Sequence, residues 1–303
     1  MGTLVEDAGY DVRTALWGSE LLVVPGGVDL TAGLHRQYVE AGADLVIANT
    51  HNAGEAHVRR WLAETPRDRW PRQVAEAKDP VCTLLERLQR DGIAAARRSG
   101  ASFVAGCTCS PDRPYTTRPT LTPEAVAAGL ERQVEALVAA QPDLLIFEMC
   151  TTEHDLEGIA RLAERLDGTE VGVGLVCGPD GGLASGMPLD EVSGRLAPLR
   201  PAALFVQCTP WPQVSTALDR LPPPTDGVLG VYANDGRGWS GSDWTGDRVG
   251  VDAYAREAET WWAQGARIIG GCCGTTPAHV AALAGRSARL REPRASVDGE
   301  AAQ

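Results

Sequence analysis

The chain has 303 residues and a formal net charge of −12. An acidic chain without a dense Lys/Arg stripe excludes nucleic acid and anionic membranes as partners, since both need a basic face. No apolar run approaches the roughly 18 residues of a membrane span, and residues 1–7 lack the basic start and apolar core of a signal peptide, so a cytoplasmic protein is expected. There the eight cysteines stay reduced, and metal binding or thiol chemistry outranks a disulfide framework.

In chain order, Leu34, Tyr38 and Ala41 stand at helical spacing and predict a helix over 31–42. Apolar strands are predicted at 44–49, 102–107, 143–149, 170–176, 203–208, 228–234 and 267–273. Thr122 with Pro123 and Glu124 reads as a helix N-cap, and that helix extends to about Ala140. Further helices are expected over 155–166, 189–199, 213–221 and 250–265. A last helix follows Thr276, with Pro277 at its first position, and runs to about Leu290. Residues 1–290 form one domain in this reading, and 291–303 form a disordered tail. Regular β–α alternation predicts a single α/β domain with a parallel sheet. Seven strands are one short of a closed eight-stranded barrel. A doubly wound open sheet is the rival, but no G-x-G-x-x-G follows the first strand.

The chemistry concentrates in three thiols. Gly270-Gly271-Cys272-Cys273-Gly274 ends one apolar run, and Cys208 ends another. Adjacent residues on a regular strand point to opposite faces, so Cys272 and Cys273 can share a metal only if the strand has already broken into a turn. The flanking glycines supply that freedom. Three thiolates without a fourth evident ligand leave an open position, the mark of catalytic rather than structural zinc. Cys82 and Cys177 read as buried small hydrophobes, as does the pair Cys107 and Cys109, and Cys150 is ambiguous. The histidines His35, His51, His57, His154 and His279 show no metal spacing and read as surface or packing residues.

From Arg267 to His279 the chain resembles the C-terminal signature of the homocysteine S-methyltransferase family. Leu16-Trp17-Gly18-Ser19, the helix–strand unit ending in Asn49-Thr50, and the strand from Asp143 to Glu148 are also similar to that family. So are Gln207-Cys208-Thr209-Pro210 and the segment from Val231 to Gly236. The resemblance implies a (β/α)8 barrel that transfers a methyl group to homocysteine. It implies Zn2+ held by Cys208, Cys272 and Cys273, with Glu148 on the substrate's α-amino group and Asn234 orienting substrate. It also implies a strand ending in Asp-Gly-Gly ahead of Met1-Gly2-Thr3-Leu4, so that the first strand of the barrel is missing from this chain, through a start assigned too late, the favoured reading, or through a truncation. Trp211, Trp239 and Trp244 are candidates either for holding a cationic donor or for covering the barrel mouth. The expected donor is a small onium compound, S-methylmethionine or S-adenosylmethionine first and betaine second. The alternatives are another thiol or selenol acceptor such as selenocysteine, a non-catalytic zinc-binding barrel, and a thiol–disulfide protein using Cys107 and Cys109.

Overall fold

The computed structural model describes residues 2–10, 14–112, 115–239 and 244–291, without the side chains of Thr3, Trp239, Trp244 and residues 288–291. All seven expected strands are present and parallel: β1 (Leu45–Ile47), β2 (Phe103–Cys109), β3 (Leu144–Cys150), β4 (Val171–Leu175), β5 (Ala203–Pro210), β6 (Val228–Asn234) and a last strand, Ala266–Gly271. They pair in simple sequence order into one curled sheet, a barrel open on one side. Its two edges are β1 and the last strand, and among the described residues no strand joins them. A cavity of about 490 Å³ lies along this opening, lined by Leu45, Phe103, Leu144 and Ile268 near the N-terminal ends of the strands. Phe103 is correspondingly exposed.

The alternation of side chains sorts each strand into two faces. Leu145 and Phe147 on β3, Leu204 and Val206 on β5, and Val231 and Ala233 on β6 pack outward into the main core under the helices. Ala105, Cys107, Ile146, Phe205 and Tyr232 pack inward as a separate cluster that fills the barrel. Phe205 and Tyr232 meet edge to face at 5.2 Å. Gly230 makes room for them, because a Cβ there would stand 2.3 Å from the Phe205 ring.

Helix boundaries differ from expectation where local signals compete. The first long helix spans Gly27–Glu40, and two helices in the unassigned stretch before β2 span Glu55–Glu64 and Pro80–Arg97. The segment expected as one helix over 155–166 is Glu153–Ala160 followed by a 3₁₀ turn, and those over 189–199 and 213–221 each reduce to a 3₁₀ turn and one short helix. Pro123–Ala139, Val251–Ala263 and Pro277–Arg291 match expectation closely. Of the tail expected over 291–303, Arg291 still closes the last helix, and residues 292–303 lie outside the described residues. Among the described residues no helix is long and apolar enough to cross a membrane.

One cap ties the sheet to the helix layer. Thr152 and Asp155 form a capping box at the start of Glu153–Ala160. The buried Asp155 carboxylate also accepts from the Thr151 backbone N–H and from the Ser110 hydroxyl at the end of β2. Asp155→Ala strands these buried donors, so a loss of roughly 3 kcal/mol is expected. A denaturant titration with unchanged slope and a lowered midpoint checks it.

Candidate active site

The C-terminal ends of the strands carry the polar and sulfur-bearing residues. In β3 and β5 the ladder register slips just before the strand ends, between Phe147 and Cys150 and between Gln207 and Pro210. At each slip one non-glycine residue takes a left-handed conformation, Met149 at φ 60° and Cys208 at φ 46°. Such residues cost on the order of 1–3 kcal/mol and persist only where their surroundings hold them. Here the two are cross-braced: Gln207 Oε1 accepts from the Met149 backbone N–H at 2.7 Å. Asn234 Nδ2 donates to the Cys208 carbonyl at 2.9 Å, and Asn234 Oδ1 accepts from the Gly236 N–H at 2.9 Å. The Asn234 amide is thus engaged on both sides, and its immediate effect is to fix the Cys208 backbone.

The last strand stops at Gly271, and Cys272 and Cys273 lie in the turn beyond it. Cys272 N–H still reaches Ala233 O at 2.8 Å, and Asp235 N–H reaches Cys273 O at 3.0 Å, so the turn is stitched to the end of β6. Gly274 stands at φ 79°, and a Cβ there would fall 1.8 Å from Asp235 Oδ2. Asp235 is itself fully buried and paired with Arg237 at 2.7 Å. Only glycine fits that corner, both for its backbone angle and for its space.

This turn brings the three thiols together. Cys208 Sγ is 3.7 Å from Cys273 Sγ, Cys272 Sγ is 3.9 Å from Cys273 Sγ, and all three lie within 4.8 Å of one another. Thiolates 2.3 Å from a tetrahedral zinc are roughly 3.8 Å apart, so the two spacings to Cys273 Sγ match such an ion. Hydrogen bonds from Cys208 and Cys272 hold the Cys273 thiol well below its usual range. Its contacts to Cys208 and Cys273, and then burial, hold the Cys272 thiol well above it. The Tyr115 hydroxyl lies 3.0 Å from Cys208 Sγ and shields it.

Glu148, next to the left-handed Met149, is buried and points inward on the same strand end. Its Oε2 is 2.6 Å from His51 Nδ1. His51 therefore belongs to the site, which corrects its reading as a surface or packing residue. Burial pulls the His51 pKa down, but Cys109, Cys107 and Glu148 outweigh it and hold the imidazole well above its ordinary value. The signal available in the sequence was its position two residues past the strand-end Asn49, with no spacing partner nearby.

The remaining cysteines divide by location. Cys107 is buried in the barrel and donates to Ala48 O, whereas Cys109 donates to His51 O and packs against the cluster of Met149, Val176 and Cys208. Cys177 is buried as expected. Cys82 is not: it lies at the surface and donates to Glu86, because its turn of the helix faces solvent. Trp211 is partly buried and packs beside Gly236, covering the end of β5, while the side chains of Trp239 and Trp244 lie outside the described residues.

A curled parallel sheet with three clustered thiols and a buried carboxylate at its C-terminal mouth has the layout of an α/β-barrel enzyme, whose active site sits at that face. The sequence model of the family described as homocysteine S-methyltransferase matches residues 1–287. The chain is 28% identical to the homocysteine S-methyltransferase of Escherichia coli over 301 residues, covering 95% of this chain and 93% of that one. It is 26% identical to homocysteine S-methyltransferase YbgG of Bacillus subtilis over 300 residues, covering 96% and 93%. A selenocysteine methyltransferase of Astragalus bisulcatus is 25% identical over 301 residues, covering 91% and 87%. Among solved structures, the E. coli homocysteine methyltransferase MmuM in its metallated form superposes with a TM-score of 0.73 at 27% identity, covering 94% of this chain and 93% of that one. The chain belongs to the homocysteine S-methyltransferase family and is a methyltransferase.

Proposed function

We propose that the protein transfers a methyl group from a small onium donor to the thiol of L-homocysteine, with zinc held by Cys208, Cys272 and Cys273. The observation that carries this reading is the convergence of three thiols, mutually within 4.8 Å, on a mouth that also holds a buried carboxylate. When bound, zinc would lower the pKa of a substrate thiol so that it reacts as thiolate at neutral pH. The thiolate attacks the methyl carbon of a sulfonium donor such as S-methylmethionine or S-adenosylmethionine. A new S–CH3 bond forms, the old one breaks, and its electron pair returns to the donor sulfur as a neutral thioether.

The chain's own residues bind and orient. Glu148 takes the substrate ammonium. Asn234 orients the acceptor indirectly, through the Cys208 backbone that it grips. The walls contributed by Tyr115 and Met149 limit water at the thiols. In-line positioning of donor and acceptor supplies much of the rate. The test is a methyl-transfer assay with homocysteine against S-methylmethionine, S-adenosylmethionine and betaine. Absence of methionine with every donor would overturn it. A second reading takes selenocysteine as acceptor, favoured by the similarity to the selenocysteine methyltransferase of A. bisulcatus, and the same assay with that acceptor separates the two.

Glu148→Gln is expected to weaken homocysteine binding by about 10- to 100-fold, the worth of a charge-assisted hydrogen bond, while zinc content stays at wild-type level. Calorimetric titration with homocysteine and metal analysis on the same sample check both parts.

A further inference from the structure

His51 and Glu148 form an ion pair on the inward face of the barrel mouth, with Cys107 and Cys109 beside the imidazole. Their side chains are 21% and 9% exposed, and their polar atoms stand 2.6 Å apart. A buried pair is costly to desolvate and returns little stability, so its retention calls for another use. One end of an α-amino acid carries the same two charges, an ammonium and a carboxylate on neighbouring carbons.

We propose that His51 binds the α-carboxylate of the amino-acid substrate, so that His51 and Glu148 together form a receptor for its zwitterionic end. The inference rests on the acceptor reading above and adds the group that recognises the carboxylate. Entry of the substrate exchanges one ion pair for two, ammonium on Glu148 and carboxylate on His51, so neither buried charge is left alone. The Tyr232 hydroxyl adds a donor on the same inward face. It is buried and has no hydrogen-bond partner among the described residues. Burial, and then the Glu148 charge, keep that phenol protonated. Gly174 leaves the room it needs, since a Cβ there would stand 2.9 Å from the Tyr232 hydroxyl. Trp17, edge-on to His51 at 6.0 Å, limits the arc through which the imidazole swings.

His51, Cys107 and Glu148 also present three ligand atoms within 4.8 Å of one another. A second metal there is disfavoured, because the Cys107 thiol is already engaged, donating to Ala48 O and accepting from the Thr50 hydroxyl.

The test compares two thiols, homocysteine and 3-aminopropane-1-thiol, which keeps the amine and thiol but lacks the carboxylate. Affinities of wild type, His51→Ala and His51→Gln are measured calorimetrically, with zinc content determined on each sample. Both substitutions are expected to weaken homocysteine by about 10- to 100-fold at unchanged zinc. Binding of 3-aminopropane-1-thiol is expected to stay within about twofold of wild type or to tighten, because His51 no longer competes for Glu148. Equal losses on both thiols, or no loss on homocysteine, would overturn the inference while leaving homocysteine as acceptor. Two zinc ions per chain falling to one in His51→Ala would overturn it in favour of a second metal. A wild-type protein that binds neither thiol overturns the acceptor reading, and this inference with it.

Discussion

Cys208→Ser, Cys272→Ser and Cys273→Ser are each expected to strip most of the zinc from a protein that otherwise carries about one ion per chain, and to abolish methyl transfer. A serine hydroxyl is a poor soft-metal ligand, and two remaining thiols cannot hold the ion as three do. Cys82→Ser and Cys109→Ser provide the contrast. Cys82 lies at the surface, far from this chemistry, and Cys109 packs beside the thiols without belonging to their cluster. Both are expected to retain the metal. Metal analysis after desalting, with far-UV circular dichroism to verify folding, reads the result. Full zinc in any of the first three variants removes that residue from the ligand set, and loss of zinc in Cys109→Ser adds a fourth.

Gly274→Ala is expected to act almost as strongly from a residue that supplies no ligand atom itself. The new methyl group would meet Asp235 Oδ2 at 1.8 Å and Cγ at 2.1 Å, and alanine resists the left-handed angle of φ 79°. Asp235 cannot retreat, because it is fully buried, paired with Arg237, and bonded through its N–H to Cys273 O. The turn must therefore move, and it carries Cys272 and Cys273 with it. At least a tenfold loss of zinc affinity is expected, since misplacing ligand-supporting groups typically costs 10- to 100-fold. Gly285→Ala is the control. It lies in the last helix, where an added Cβ meets nothing within 4 Å, so zinc affinity is expected to hold and thermal stability to rise slightly. Competition titrations with a chromophoric chelator measure both variants on one scale. Equal affinities would show that the corner is not what positions the thiols.

Apolar runs bounded by turns were enough to place all seven strands, because a strand buried on both faces leaves a continuous hydrophobic signature. Helix starts with strong local chemistry, such as Thr122-Pro123 and Thr276-Pro277, were equally legible. The three metal-type cysteines were readable because glycines on both sides of a Cys-Cys pair free the backbone to turn both thiols toward one point. What sequence could not supply were contacts across distance. His51 and Glu148 are 97 residues apart, and no local pattern marks them as partners. Nor does any pattern separate Cys109, which packs against the cluster holding Met149 and Cys208, from Cys107, whose thiol is committed to Ala48. The strained backbone at Met149 and Cys208 is equally invisible beforehand, since it arises where each strand leaves its neighbour's register. Residue type and local spacing thus determined the elements and the kind of chemistry. The curl of the sheet decided which side chains meet, because only that curvature brings strand ends far apart in sequence over one mouth.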